Sequence, residues 1–68
     1  MKKAEIKFVR EYNYWNATWY DVIYKSGRLC THIAENLPKT VREYIDNASK
    51  KTTLFDRTFK RDEIIYEA

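Results

Sequence analysis

The sequence predicts an α+β fold in which a three-stranded antiparallel β-meander packs on one α-helix and is followed by a C-terminal strand. Residues typical of strands dominate the first half of the chain, and an amphipathic helical pattern comes after them. The length of 68 residues allows a single small domain, residues 1–68, without a second core. Because the only cysteine excludes an internal disulfide and the only histidine leaves little for a metal, a partner chain remains as a source of extra stability.

The first predicted strand runs from Ala4 to Asn13 and is rich in isoleucine, phenylalanine, valine and tyrosine. Alternation with a period of two places Ile6, Phe8, Arg10 and Tyr12 on one face of this strand. The next residues contain two asparagines, which favour turns. We therefore expect a long hairpin between the first two strands.

The second and third predicted strands form a hairpin around Gly27. Residues 18–25 are the clearest strand in the chain, and residues 28–33 return after the turn. Gly27 can adopt the positive φ that a two-residue loop of Ser26 and Gly27 requires. This loop sets the predicted register.

The predicted register pairs Tyr24 with Leu29 and Asp21 with His32. A slip of one residue would exchange the two faces of the returning strand, so which face is buried stays open at this point. The preferred core face carries Tyr20, Val22, Tyr24, Leu29 and Ile33. The opposite face carries Trp19, Asp21, Ile23, Cys30 and His32.

One helix is predicted from Pro38 to Ser49. Pro38 suits the first turn of a helix, and Thr40 with Glu43 matches a capping box. Two lysines, at positions 50 and 51, suit its C-terminal end. The apolar stripe of this helix, at helical spacing, consists of Val41, Tyr44, Ile45 and Ala48.

The C-terminal part of the chain has a mixed pattern. Residues 54–59 fit a short helix and a strand equally well, whereas Ile64, Ile65 and Tyr66 predict a final strand. The whole sequence contains no repeat, linker or low-complexity run. The element between the helix and the last strand therefore stays open.

Exposed aromatic residues give the first functional prediction. Six of the eleven aromatic residues lie between positions 12 and 24, and one small helix cannot cover both faces of a sheet. Tyrosine and tryptophan are enriched at the energetic centres of protein interfaces. We therefore predict a partner-binding hairpin with Tyr14, Trp15 and Trp19 as anchors and with Lys25 and Arg28 on its rim.

The basic residues give an alternative prediction, a nucleic-acid-binding surface on the sheet and its flanks. The net charge of +3 is small, and no lysine or arginine lies between positions 11 and 24 beside the aromatic residues. A platform for single strands needs both kinds of side chain together, so protein binding is the favoured interpretation. The residues of the alternative surface are Lys7, Arg10, Lys25, Arg28, Arg57, Lys60 and Arg61.

Catalytic and metal-binding arrangements are weak in this sequence. Cys30 and His32 are two residues apart, with Asp21 expected opposite the histidine. Structural zinc needs four good ligands, and a catalytic cysteine needs an oxyanion site for which no motif is present. We therefore expect no enzyme activity, no metal site and no cofactor, and we interpret this group as packing residues.

The sequence also bears on location. No apolar run approaches the length of a membrane span, and no apolar stretch of a signal peptide follows the first three residues. A lone cysteine suits a reducing compartment. We therefore expect a cytoplasmic protein without membrane contact.

In overall style the chain resembles the small accessory proteins of bacteriophages and mobile elements of low-GC bacteria. The resemblance rests on composition, on the YKSGR hairpin (residues 24–28) and on the ENLPKTV helix entry (residues 35–41). It implies a regulator that docks on a host protein or a nucleoprotein complex, for example as an anti-defence or anti-CRISPR-type inhibitor. It transfers no functional residue. A homodimer is compatible with both the protein-binding and the nucleic-acid-binding predictions, because a partner chain would cover the spare aromatic residues.

Overall fold

The computed structural model describes residues 5–68, so the basic start of the chain and Ala4, where the first strand was expected to begin, lie outside it. Five antiparallel strands form one sheet in the order β3-β2-β1-β5-β4. A 3-10 turn at Ala34–Asn36 and one helix, α1 at Lys39–Asp46, follow β3. The strands are β1 (Ile6–Tyr14), β2 (Ala17–Tyr24), β3 (Leu29–Ile33), β4 (Lys50–Asp56) and β5 (Arg61–Glu67).

The predicted three-stranded meander with one C-terminal strand is therefore wrong. The first three strands do follow one another as hairpins, but β5 pairs with the free edge of β1 and β4 pairs with β5. The pair Val9–Tyr66 shows how far apart in sequence the joined strands are. Local patterns cannot reveal such a pairing, because it depends on tertiary contacts.

The hairpin between β2 and β3 has a three-residue loop, Lys25–Gly27, instead of the predicted two. Gly27 has a φ of 95°, and its amide donates to the Tyr24 carbonyl oxygen at 2.9 Å. The extra loop residue shifts the register, so that Val22 faces Cys30. Tyr20, Val22 and Tyr24 do lie on the helix side, but on β3 the predicted faces are exchanged.

The segment after the helix forms β4, which includes residues 54–56 of the mixed pattern, whereas residues 57–59 belong to the turn after it. Lys50 and Lys51 begin this strand and do not cap the helix as predicted. Asp56 ends the strand, since its Oδ1 accepts from the backbone amides of Thr58 at 2.8 Å and Phe59 at 3.2 Å. These bonds hold the turn that leads into β5.

The helix is shorter than predicted, but its apolar stripe is in place. Pro38 precedes the first helical residue without a side-chain cap, and Thr40 lies inside the helix, so the predicted capping box is not formed. The helix ends at Asp46, before the predicted Ser49. The four stripe residues at positions 41, 44, 45 and 48 all belong to the core or pack against it.

The core lies between α1 and the middle of the sheet. Val9 of β1, Val22 of β2 and Val41 of α1 are fully buried, and Tyr66 of β5 is nearly so. Because Val9 pairs with both Val22 and Tyr66, one row of side chains across three strands faces the helix. Such a small core leaves the stability of the chain sensitive to every buried methyl group.

Val22→Ala is expected to lower the free energy of unfolding by about 2 kcal/mol, because it removes two methyl groups from a closed space. Chemical denaturation measures the change. The matched control is Leu29→Ala on β3, where the side chain is 58% exposed and its loss should cost little. Equal losses in the two variants would contradict the assigned core.

Candidate functional site

The β1–β2 hairpin ends in a tight turn with Trp15 at its tip. Trp15 and Asn16 have φ values of 53° and 58°, the geometry of a type I′ turn. Asparagine tolerates this region, whereas a bulky tryptophan is strained there. The Trp15 side chain is also 81% exposed. Its ring packs edge-on against that of Tyr14, with the two ring centres 6.1 Å apart. Neither the turn nor the core accounts for a tryptophan at this position.

A second turn lies at the same end of the sheet. Because β5 runs antiparallel to β1 and pairs Glu63 with Tyr12, the β4–β5 turn at residues 57–60 lies beside the β1–β2 turn. Phe59 in this turn is 61% exposed. We call the exposed side chains of the two turns the hairpin-end surface. It consists of Tyr14, Trp15, Arg57, Phe59 and Lys60.

Arg61 connects the hairpin-end surface to the sheet below it. Its guanidinium carbon lies 3.9 Å from the centre of the Tyr12 ring and 4.5 Å from that of Phe59. Its Nε donates to Glu63 Oε2 at 3.1 Å. A guanidinium stacked on two rings and bonded to a carboxylate holds Phe59 against the sheet while leaving most of that ring in solvent.

The sheet face opposite the helix carries a row of polar side chains around Asp21. Asp21 Oδ1 accepts from the Tyr12 hydroxyl and from the Thr31 hydroxyl, both at 2.9 Å. Arg10 lies 3.8 Å from Asp21 and 4.0 Å from Glu63, bridging the two carboxylates. Asp21 and Glu63 are 8% and 7% exposed, so the paired charges of this face shield one another from water.

Trp19 differs from the other two predicted anchors. It is half-buried on the sheet face that also carries Tyr12, and its indole N–H donates to the Tyr14 carbonyl oxygen at 3.0 Å. This bond supports the hairpin behind Trp15. Trp19 therefore positions the tip, and Phe59 takes the place of a third exposed aromatic side chain.

The two predicted rim residues lie far from the tip. Lys25 begins the β2–β3 loop and Arg28 follows it, at the other end of β2 from Trp15. Lys25 Nζ also pairs with Glu5 at 2.9 Å. The structure thus brings Tyr14, Trp15 and Trp19 together but separates them from this basic pair.

The basic residues of the alternative nucleic-acid surface are distributed over both ends and both faces of the sheet. Arg10 and Arg61 are engaged with buried carboxylates, and Lys7 lies at a register irregularity of β1 near its start. Only Arg57 and Lys60 lie exposed beside the aromatic tip. The sequence could not predict that these two residues lie close to the aromatic tip, because their position depends on the β1–β5 pairing.

Cys30 and His32 share the helix side of β3, whereas Asp21 faces Thr31 on the opposite side. The predicted cross-strand pair of Asp21 and His32 is therefore absent. Cys30 and His32 line a groove of about 310 Å³ beside Pro38. Among residues 5–68, no cluster of three or more histidine, cysteine or carboxylate side chains could hold a metal ion.

Comparison with known proteins adds no evidence about this site. No family model, curated protein or solved structure matches the chain. Within the described part of the chain, no helix has the length and apolar character needed to cross a membrane.

Trp15→Asn is expected to raise the free energy of unfolding by about 0.5–1 kcal/mol, because asparagine fits the positive φ that strains tryptophan. Thermal and chemical denaturation measure this change. Asn16→Asp, in which one residue that tolerates this region replaces another, is the control and should change stability less. A marked loss of stability in Trp15→Asn would mean that Trp15 serves the fold instead of a partner.

The phenols of Tyr12 and Tyr66 make the fold sensitive to alkali. Burial, and then the bonds to Asp21 and Glu11 respectively, raise the pKa of each from about 10 to about 12. The unfolded chain therefore loses these protons first, and the free energy of unfolding should fall as pH rises from about 10 to about 12. Below pH 10 this contribution is fully present.

Tyr12→Phe should make the fall between pH 10 and pH 12 shallower, measured by urea denaturation at a series of pH values. Thr31→Val is the control, since it removes the other hydroxyl bonded to Asp21 without removing a titrating group. It should lower stability and keep the slope. An unchanged slope in Tyr12→Phe would refute the assignment.

Proposed function

We propose that this chain is a non-catalytic binding protein that docks on another protein through the hairpin-end surface. The observation that carries the proposal is Trp15, which is 81% exposed in a backbone conformation that disfavours it. Strain of this kind persists where the surrounding structure enforces it and is concentrated at functional sites. With Tyr14 and Phe59 beside it, Trp15 offers the aromatic anchors typical of interface centres.

The charge around these anchors defines the kind of partner. Arg57 and Lys60 lie in the turn that carries Phe59, and both are exposed. The complementary partner surface is an apolar pocket with an acidic rim, since rim charges guide association and orientation. A regulator of phage or mobile-element origin, acting on a host protein or a nucleoprotein complex, is the biological setting that we propose.

Binding of a single-stranded nucleic acid is the second candidate. It is supported by the same two cations beside exposed rings, a combination that can hold phosphates and stack bases. Against it, Arg10 and Arg61 are paired with carboxylates, so the surface has fewer free cations than the sequence suggested. The protein-binding function is therefore the better supported of the two.

The test compares tagged variants in pull-downs from bacterial lysate, with and without nuclease. Trp15→Ala and Phe59→Ala should each lose a protein partner that the wild type retains after nuclease treatment, because truncating a central aromatic anchor costs 2 kcal/mol or more, about thirtyfold in affinity. Leu29→Ala, which truncates an apolar side chain about as exposed as that of Phe59, is the control and should bind normally.

Retention of the partner by the double variant Trp15→Ala/Phe59→Ala would refute the hairpin-end surface. Recovery of nucleic acid alone, with affinity that falls steeply with salt and with Arg57→Ala, would support the second candidate instead. Trp19→Ala is not a suitable probe, because its loss also removes the bond that supports the turn.

A further inference from the structure

The outer edge of the sheet at β4 is long, regular and exposed. Six of its seven residues are exposed, and Leu54 and Phe55 keep 51% and 61% of their surface in solvent. Seven successive residue pairs join β4 to β5 from Lys50 to Asp56, so no bulge interrupts it. Edge strands of natural proteins are usually short, bulged or covered, because an open edge invites another strand.

The opposite edge, β3, is better protected. It has five residues, three of which are half-buried, and a 3-10 turn follows it directly. The helix α1 packs over the middle of the sheet and leaves β4 uncovered on both faces. Among the described residues, β4 is thus the sheet edge that is open to pairing with another strand.

We propose that two copies of this chain pair through antiparallel β4 strands, centred on Thr53, to form a continuous ten-stranded sheet. The seven residues of β4 read Lys-Lys-Thr-Thr-Leu-Phe-Asp, with cations at one end and an acid at the other. Antiparallel pairing about Thr53 places Lys50 opposite Asp56 of the second copy, and the reciprocal pair forms at the other end. Opposite charges directly across two strands stabilise a sheet.

The side chains between the two ends also match. Thr52 meets Leu54 of the second copy on one face, and Lys51 meets Phe55 of the second copy on the other. Lys51 already extends over an aromatic ring, with its Nζ 5.8 Å from the centre of the Tyr66 ring. A lysine between two rings gains a second cation–π contact.

Neighbouring registers lack this complementarity. A two-fold axis perpendicular to the sheet pairs residues that lie on the same face. The axis must therefore pass through a residue of β4 and not between two residues. Centring on Leu54 sets Lys51 opposite Arg57 of the second copy, which is repulsive. Centring on Thr52 sets Lys50 opposite Leu54 of the second copy and leaves Asp56 beyond the paired strand. The charge pattern therefore selects Thr53.

The charged ends of β4 keep their charges, although Oδ1 of Asp56 already accepts from two turn amides. The bond between Lys50 and Glu67 is long, at 3.8 Å, and the lysine is 70% exposed. The backbone amides of Phe59 and Thr58 lower the pKa of Asp56, so its carboxylate stays ionised at neutral pH. Closed two-fold association is the commonest symmetry of protein oligomers, and here it covers the open β4 edge of both copies at once.

Sedimentation equilibrium across a range of concentrations tests the proposal. The wild type should associate to a dimer and no further. Leu54→Lys should abolish the dimer, because it puts two cations into the centre of the new strand pair. Leu29→Lys, a change of the same kind at a similarly exposed position of β3, should leave the dimer intact.

A charge reversal tests the register. Lys50→Glu turns two attractive pairs into repulsive ones and should raise the dimer dissociation constant by about tenfold. Lys39→Glu, on the exposed start of α1, is the control with the same change of net charge and should have little effect. Equal effects of the two reversals would mean that net charge, and not the pairing about Thr53, controls association.

Hydrogen exchange of the wild type provides a readout that needs no variant. Backbone amides of β4 that point away from β5 should become protected as protein concentration rises. A chain that stays monomeric at millimolar concentration, with unprotected β4 amides, would overturn the proposal. So would loss of association in Leu29→Lys, which indicates head-to-tail pairing, or in Trp15→Ala, which indicates association through the hairpin-end surface.

Discussion

The structure depends on the burial of Asp21 and Glu63 on the sheet face opposite α1. A five-stranded sheet has two faces, and a single eight-residue helix can seal only the middle of one. The other face must reduce its contact with water by means of its own side chains. Arg10 and Arg61, with the Tyr12 and Thr31 hydroxyls, satisfy the two carboxylates, and the row they form crosses β3, β2, β1 and β5.

A network of this kind contributes more to specificity than to net stability. Taking paired charges out of water costs nearly as much as their attraction returns, whereas removing one partner leaves an unpaired buried charge. The network therefore penalises strand registers that would separate Arg10 from Asp21 or from Glu63. Among residues 5–68 the fully buried side chains are those of three valines, so that penalty helps to select one register for four of the five strands.

Local signals predicted the elements whose pattern is repeated along the chain. The apolar stripe of α1 and the preferred core face of β2 were predicted because apolar residues recur there with the period of each element. The register of β3 was missed because Gly27 serves a two-residue and a three-residue loop equally well. One added loop residue exchanges the two faces of β3. Asp21 therefore pairs with Thr31 and not, as predicted, with His32.

The β4–β5 hairpin and half of the candidate site were missed for a different reason. Lys50 and Lys51 fit the end of a helix as well as the start of a strand, so the boundary had two solutions. The aspartate at the end of β4, followed by a threonine amide two residues later, is a turn signal that could have located the loop. Nothing local, however, indicates that β5 lies beside β1, and this pairing brings Phe59 next to Trp15.

The distribution of exposed apolar side chains separates the two surfaces that we propose. The aromatic residues of the two turns project beyond the end of the sheet, whereas Leu54 and Phe55 lie along its side. In a pair of chains joined through antiparallel β4 strands, the hairpin-end surfaces point in opposite directions and both helices lie on one face. Each end then stays accessible, so self-association and partner binding do not compete. A dimer of this form can engage two sites, and the gain in affinity depends on whether their spacing matches its length.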